Sequence, residues 1–430
     1  MTKRILFYLL YLIVLVILLY LSFLLYFFDL AKATEFFVGR IPNVVLIVVV
    51  TLFLSNLMDL ITFRRETKKR GGIWNEIFLV AGKTIVVILI ASFVEFFLLY
   101  RTKLGRIIYV NYSVLLSFFL IGEHLIVNYL VSRRKISVLW LSEIPAAQVE
   151  RDYMTLGDRH EIVESVDPSR GTADFDLIVY DYPPRDHGRV SDVLTRIISS
   201  KNPVDLISFL ESSMEKIPLK YVDELWLLKN LRTYESVYER IRRIINFFSS
   251  VVLLSVLFVP SFLLALWNRI QSPGPIFYIQ SRTGFRGRHF NLIKFRTMVV
   301  DAEESGPRFS STEDPRVTKT GRLMRSFRLD EVPQLINVLR GEMNLIGPRP
   351  ERGEFIEHLE REIPFYKLRL EVRPGLTGWA QVNHPYAGSD TADHIRKLEY
   401  DLYYIKNRNI ALDFVILLKT IKTILTRRGT

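Results

Sequence analysis

Residues Ile5–Phe28 form one nearly uninterrupted apolar run, long enough to cross the hydrocarbon core of a bilayer as a helix. No other feature restricts the fold as much, because a backbone in lipid must satisfy its N–H and C=O groups internally. The run ends without a small-residue cleavage pattern, so it reads as a retained helix and not as a signal peptide. Three more apolar runs follow, at Val44–Phe63, Ile73–Tyr100 and Ile107–Val131. The third carries Glu76, Lys83 and Glu95, for which snorkelling or pairing between helices is the expected solution. Lys3 and Arg4 precede the first run, Arg64, Arg65, Lys68, Lys69 and Arg70 lie between the second and third, and Arg133, Arg134 and Lys135 follow the fourth. The positive-inside rule places all three groups on the cytoplasmic side, giving a four-helix transmembrane bundle over residues 1–135. The basic loop Arg101–Arg106 pulls mildly the other way.

A chain of 430 residues holds two or three domains. Its 49% apolar content is concentrated near the N-terminus, which implies a membrane part joined to a soluble part. With no cysteine, disulfides, thiolate-bound zinc and iron–sulfur clusters are excluded. The net charge of +12 calls for an anionic partner. The basic residues hug apolar segments, so lipid headgroups of the bilayer or nucleotide phosphates fit, and no nucleic acid is expected.

From Ile136 the composition becomes that of a soluble domain. Ile136–Leu141, Phe175–Tyr180 and Val204–Phe209 read as buried strands, with helical patterns such as Val190–Ser199 between them. This describes a small α/β unit with a parallel sheet over residues 136–235. Leu141-Ser-Glu-Ile-Pro145 stands where a Gly-rich dinucleotide turn would lie. The unit therefore reads as degenerate Rossmann-like, with a structural or regulatory role. A fifth apolar run, Ile244–Trp267, contains Pro260 and is flanked by Arg240, Arg242 and Arg243 on one side and Arg269 on the other. Proline bends a helix, and basic residues at both ends favour one face, so a Pro-bent re-entrant membrane helix is expected at 244–267. A plain kinked span is the alternative. Ile410–Leu425 reads as a helix lying in the membrane interface and leads to Arg427 and Arg428.

The chemistry concentrates in Arg325-Ser-Phe-Arg-Leu-Asp-Glu-Val-Pro-Gln334, where Asp330 and Glu331 sit together among arginines at the start of a helix. Phosphoryl transfer to a carboxylate needs a nucleophile, a metal ligand and cations for a diphosphate. An Asp in this position can also be a simple helix cap. Six landmarks occur in order: Ser272-Pro-Gly-Pro275, Lys294-Phe-Arg-Thr-Met298, Leu329-Asp-Glu-Val-Pro-Gln-Leu335, Asn344-Leu-Ile-Gly-Pro-Arg-Pro350, Arg373-Pro-Gly-Leu-Thr-Gly378 and Trp379-Ala-Gln-Val-Asn383. Together they closely resemble the bacterial sugar transferases, the polyprenyl-phosphate hexose-1-phosphate transferases that start surface-glycan assembly. The resemblance covers residues 236–430 and identifies them as a mainly helical catalytic domain. The preceding spans and α/β unit resemble the extended members of that family.

The resemblance implies a membrane enzyme at the inner-membrane, cytoplasmic face. It would move a hexose-1-phosphate from a UDP-sugar to polyprenyl (undecaprenyl) phosphate, releasing UMP, with Mg²⁺ as cofactor. Asp330 would be the nucleophile and a metal ligand, forming a covalent phosphosugar–aspartyl intermediate. Glu331 would place the metal or handle protons. A carboxylate at a helix N-terminus is expected to stay ionised with help from the dipole. Lys294, Arg325 and Arg349 match the family's basic positions around the diphosphate, and the prolines flanking Arg349 fix its backbone. Arg296 is a substrate-binding candidate that can equally be structural. Gly375 and Gly378 are expected to supply turns near the uridine site. Pro260 matches the family's bend, in a Val259-Pro260-Ser261 context where some members have Ser before the proline. Downstream glycosyltransferases and a homodimer through the α/β unit are further expected partners.

The seven histidines lack metal-ligand spacing, and no Ser-His-Asp, H-E-x-x-H or Walker pattern is present. Two other functions compete. A membrane glycosyltransferase would move the sugar alone and release UDP. A transporter or sensor would need polar rows or Gly/Pro breaks that the spans lack.

Overall fold

The computed structural model describes residues 2–57, 73–98, 106–133, 136–142, 144–153, 160–163, 175–180, 203–231, 237–300, 302, 314–384 and 390–426. The chain divides into two compact units, Met1–Phe209 and Leu210–Thr430.

The first unit opens with apolar helices α1 (Thr2–Phe27), α2 (Leu30–Gly39), α3 (Ile41–Leu57), α4 (Ile73–Leu98) and α5 (Arg106–Arg133). Buried residues recur one turn apart, as Tyr11, Leu15, Leu19 and Phe23 on α1 and Ile108, Tyr112, Leu116 and Leu120 on α5. The intervening faces are equally apolar yet bare, with Ile17, Phe53, Leu89 and Phe118 exposed. Helices apolar all round cannot reveal from sequence which face packs inward. Glu95, buried on α4, accepts from Asn43 of α3 and Tyr109 of α5. This acid is therefore paired between helices.

By length and composition, Tyr8–Phe27 can cross a membrane, and Leu30–Gly39 with Ile41–Ser55 forms a pair bent by 80° that qualifies only together. The helix α2 has no counterpart in the sequence reading. Asp29 starts it by accepting from the backbone of Ala31 and Lys32. The expected span ends at Phe63 and Tyr100 lie outside the described residues.

Strands β1 (Ile136–Trp140), β2 (His160–Val163), β3 (Leu177–Tyr180) and β4 (Pro203–Asp205) make a parallel sheet in the order β2-β1-β3-β4, with the short helix α6 (Ala146–Asp152) after β1. The expected strand Val204–Phe209 is corrected. Only its start is extended, and Leu206–Met214 is a helix, α7. Asp205 explains the switch, because its Oδ1 accepts from Ser208 N at 3.0 Å and caps the first turn. The expected helix Val190–Ser199 lies outside the described residues.

In the second unit, the segment after Phe209 packs on its own unit: Trp379 Nε1 donates to the Glu215 carbonyl at 2.8 Å, and Lys216 pairs with Glu399 at 2.7 Å. After α8 (Glu224–Asn230) comes α9, Val237–Gln271, a helix of 35 residues with Pro260 inside it. Beside the proline, Ser261 Oγ donates to the Leu257 carbonyl at 2.6 Å. One face of α9 buries Arg242, Asn246, Ser250, Ser261, Ala265 and Asn268. The opposite face leaves Val252, Val256, Val259, Leu263, Trp267 and Ile270 more than half exposed. Asn246 Nδ2 donates to Asn344 Oδ1 at 2.8 Å near one end, and Asn268 Nδ2 to the Arg296 carbonyl at 2.7 Å near the other. These anchors lie about 33 Å apart along the axis at 1.5 Å per residue. Both ends thus hold the same folded unit.

The hairpin β5 (Phe277–Thr283) and β6 (His289–Phe295) is antiparallel, with Tyr278 opposite Lys294. Then come α10 (Lys319–Ser326), α11 (Gln334–Leu339), β7 (Asn344–Ile346), α12 (Gly353–Glu362), β8 (Gly375–Thr377), α13 (Trp379–Asn383), α14 (Thr391–Asn407) and α15 (Ile410–Leu425). The core gathers Leu292, Val332, Leu335, Met343, Ile346, Trp379, Tyr404 and Ile416.

Candidate active site

Asp330 and Glu331 lie in a 3₁₀ turn, Leu329–Glu331, between α10 and α11. Arg328 enters this turn in the left-handed region, at φ 57°. The turn is pinned to the hairpin by the buried Asn337 on α11, whose Nδ2 donates to the Asn291 carbonyl at 2.8 Å and whose Oδ1 accepts from Ile293 N at 3.2 Å. That bond fixes the acidic pair beside Lys294. On the other side Thr297 Oγ1 accepts from Arg325 Nε at 2.9 Å. The Lys294–Met298 motif thus supplies both a cation and a holder for a second one.

Both carboxylates are buried, at 8% and 7% exposure, yet their environments differ. Glu331 Oε1 accepts from Arg349 Nη2 at 2.9 Å and Arg328 Nη1 at 3.2 Å. Burial works against its charge, but Arg349 and Arg328 outweigh it and hold this acid below the usual range. Asp330 has no such bond, and its Oδ1 is buried without a hydrogen-bond partner. Burial first, and the Glu331 charge second, push its pKa up, against the pull of Arg325, Lys294 and Arg328. Asp330 lies in a three-residue turn, and the charges that favour its ionised form against burial are Arg325, Lys294 and Arg328. Lys294, mostly buried, is pushed down to about 8 by burial, with Asp330 opposing. Its Nζ lies 4.9 Å from the centre of the Tyr278 ring.

Lys294, Arg325 and Arg349 are thus brought to the pair, as the sequence suggested. Arg296 is not. Its guanidinium is spent on Ser272, Pro273 and Pro275, including Nε to the Pro275 carbonyl at 2.8 Å. It clasps the Ser272–Pro275 turn to the end of β6. Gly375 and Gly378 differ from expectation too, since neither has a positive φ. A Cβ on Gly375 would meet Gly347 N at 2.0 Å, and one on Gly378 would meet Gly347 O at 2.2 Å. They are glycines so that two backbones can touch beneath Pro348-Arg349-Pro350.

Sequence reasoning missed three contributors. Arg328, which adjoins the pair, is one. Arg282 is another: Nε and Nη2 grip Gln280 Oε1 at 3.0 and 2.6 Å, and Nη1 donates to the Pro350 carbonyl at 3.1 Å. The third is the ion network behind Arg349, where Arg369 Nη2 donates to the Arg349 carbonyl at 3.1 Å and pairs with Asp401 at 2.8 Å. The sequence signals for these were proximity to a motif and, for Arg282, the strand alternation that puts it on the same face as Tyr278, the residue opposite Lys294.

Next to the pair opens a cavity of about 760 Å³. Its walls are mostly apolar residues of α9 and α15, such as Val252, Leu257, Leu417 and Ile424, and Arg328 and Glu331 lie at its edge. The site therefore joins a buried carboxylate with an unpartnered oxygen, four cations and a neighbouring apolar cavity.

A family model for bacterial sugar transferases matches residues 237–427. A glucose-1-phosphate transferase of Caulobacter vibrioides, UDP-glucose:undecaprenyl-phosphate glucose-1-phosphate transferase, is 40% identical over 181 residues, 41% of this chain and 67% of that protein. The chain belongs to the bacterial sugar transferase family. An Aeromonas hydrophila relative, UDP-N-acetylgalactosamine-undecaprenyl-phosphate N-acetylgalactosaminephosphotransferase, is 39% identical over 265 residues. That match takes in 61% of this chain and 62% of the relative, so the chain spans about three fifths of it. An Escherichia coli UDP-glucose:undecaprenyl-phosphate glucose-1-phosphate transferase is 40% identical over 159 residues, 37% of this chain and 34% of that protein. All the site residues of this sugar transferase named above lie within the matched region.

Proposed function

We propose that the protein transfers a hexose-1-phosphate from a UDP-sugar to polyprenyl phosphate, releasing UMP and leaving a polyprenyl-diphosphate sugar. This is the first membrane step of an exopolysaccharide, capsule or O-antigen. The observation that carries the reading is Asp330, a buried carboxylate with an unpartnered oxygen among cations, whose neighbours Leu329 and Glu331 line an apolar cavity. Asp330 attacks the sugar-bearing phosphorus, the P–O bond to UMP breaks with UMP leaving, and a phosphosugar–aspartyl mixed anhydride forms. A phosphate oxygen of the lipid then attacks the same phosphorus, and Asp330 leaves as the free carboxylate. Lys294, Arg325 and Arg349 offset the diphosphate charge, and Glu331, held ionised by Arg349 and Arg328, keeps Arg349 in place.

Mg²⁺ fits this donor set. The described residues contain no group of three or more His, Asp or Glu placed to cage a metal, and Mg²⁺ is commonly held by one or two carboxylates with substrate phosphates and water. Asp330 Oδ1 is the free protein ligand. When bound, the ion would neutralise charge on the phosphate oxygens.

The long helix supports a monotopic arrangement. Because Asn246 and Asn268 both bond the same folded unit, an α9 that crossed the bilayer would draw that unit through the membrane. Its bare apolar face suits a helix that enters and returns on one side, with the active site at headgroup depth on the cytoplasmic face. Soluble nucleotide and lipid phosphate meet at that depth.

The test is nucleotide release from a panel of UDP-sugars by purified full-length protein with undecaprenyl phosphate and Mg²⁺. UMP from the native protein, abolished by Asp330→Asn, is expected. Release of UDP would mean sugar transfer without phosphate and would overturn the reading.

A further inference from the structure

Arg328 differs from the other cations around Asp330. It lines the apolar cavity, flanked by Phe327 and Leu329, whereas Lys294, Arg325 and Arg349 do not. The other cation of the described cavity wall, Arg242, is 4% exposed and committed to Asp413, Glu239 and the Ile346 carbonyl. The Arg328 side chain is 33% exposed, and its bond within the site is the one from Nη1 to Glu331 Oε1. Arg349 holds that same oxygen independently, and more closely, at 2.9 Å. Arg328 can therefore leave Glu331 without stranding a buried charge. Its left-handed backbone, at φ 57° and ψ 22°, is a conformation that residues other than glycine adopt at a cost and that gathers at functional sites.

We propose that Arg328 is the residue that receives the acceptor phosphate: it turns from Glu331 to the phosphate of a lipid whose apolar chain fills the cavity. This rests on the phosphosugar-transfer reading above and deepens it, by assigning the two substrates to different cations. The nucleotide diphosphate lies against Lys294, Arg325 and Arg349, and the lipid phosphate against Arg328. Three properties fit that role. The guanidinium offers two parallel donors matched to phosphate oxygens. It stands where the apolar wall ends, as the head of an apolar-tailed anion requires. Its release from Glu331 is compensated in advance by Arg349.

The two half-reactions separate the roles. Labelled UMP exchange into the UDP-sugar needs only the first, and undecaprenyl phosphate in mixed micelles enters only in the second. Asparagine tolerates a left-handed backbone, so Arg328→Asn removes the charge without straining the turn. The variant is expected to raise the KM for undecaprenyl phosphate by about 10- to 100-fold, the range for losing a hydrogen-bonded charged contact. The KM for UDP-sugar and the exchange rate should change by less than about 3-fold, within ordinary context effects. Arg328→Lys should recover most of the lipid KM. If exchange and lipid KM worsen together in Arg328→Asn, Arg328 positions the acidic pair and the proposal falls. It also falls if the variant loses retention on phosphatidylglycerol vesicles lacking polyprenyl phosphate in step with its lipid KM, which would make Arg328 a bulk headgroup contact. Failure of the native protein to exchange label would instead overturn the covalent route. Arg328 would then be judged on the lipid KM of UMP release alone.

Discussion

Glu351 and Asp330 are both buried carboxylates set among arginines and a lysine, and they are treated in opposite ways. Around Glu351 the cations spend their donors on the acid. Lys397 Nζ donates to its Oε1, Arg369 Nη1 reaches it at 3.5 Å, and Arg282 Nη1 lies 3.9 Å from Oε2. Burial opposes its ionisation, but Lys397 and Arg369 hold the acid far below its ordinary range. Around Asp330 the cations are turned aside. Arg325 is tied to Thr297, Lys294 lies over Tyr278, and Oδ1 has no partner. The first cluster is a finished clamp that fixes the backbone of Arg349. The second is a positive field with its central bond left unmade, which is what a nucleophile awaiting a phosphorus centre requires.

Exchanging the acids for amides should separate the clusters most sharply. In Asp330→Asn the transfer rate is expected to fall by at least about 10³-fold, as when a covalent nucleophile is removed. Folding should not suffer. The folded-state pKa of Asp330 lies above its unfolded value, so at neutral pH the native state carries a charge that the unfolded chain holds more easily. Removing it should stabilise the protein by about 1–3 kcal/mol, on the scale of one or two pKa units. A melting temperature that drops while activity survives would reverse the assignment of the two clusters.

Arg369→Met should break the clamp in the complementary way. It strands the buried Asp401 and leaves the buried Glu351 to Lys397 and Arg282, and should destabilise the second unit by about 3–5 kcal/mol, the usual result of removing one partner of a buried pair. Thermal unfolding of the full-length protein checks this. Activity that vanished with stability unchanged would place Arg369 in the chemistry.

The two clusters should also differ in pH response. Asp330, with its raised pKa, loses its charge as pH falls at a higher pH than an ordinary aspartate. Lys294, lowered to about 8, loses its charge as pH rises through that value. The profile of kcat/KM for UDP-sugar should therefore be bell-shaped with an alkaline limb near 8. Lys294→Arg keeps its charge at all accessible pH and should move that limb upward by more than about one unit. An unmoved limb would assign it to another group.

Much of this was legible in the sequence, and the failures have physical causes. The apolar helices and the long proline-bearing helix are carried by local pattern, and the acidic pair with Lys294, Arg325 and Arg349 by the ordered motifs that resemble the bacterial sugar transferases. Which face of each apolar helix packs is not, because Tyr11, Leu15 and Leu19 are no more hydrophobic than their bare neighbours. The strand expected at Val204–Phe209 failed because Asp205 caps a helix, a local bond that outweighed an apolar pattern common to both structures. The glycine roles failed because close contact between Gly347 and Gly375 or Gly378 joins residues distant in sequence. The clamp around Glu351 could not be read at all, since its members come from β5, the turn before α12, the 3₁₀ segment Tyr366–Glu371 and α14.

Arg296 shows the limit at the scale of one residue, and it should give the smallest functional effect. It lies two positions after Lys294, a spacing that on a continuing strand would put both side chains on one face. The strand ends at Phe295, however, and Arg296 turns to the Ser272–Pro275 segment. A clasp and an anion ligand respond differently to lysine. Lysine cannot reproduce the fork that holds several carbonyls at once, so Arg296→Lys should lower stability by about 1–3 kcal/mol, the cost of leaving buried acceptors unmade. The KM for UDP-sugar, measured well below the unfolding temperature, should stay within about 2-fold of native, since no contact in the acidic cluster is lost. A KM that rose tenfold with stability intact would return Arg296 to the diphosphate and join the Ser272–Pro275 turn to the active site.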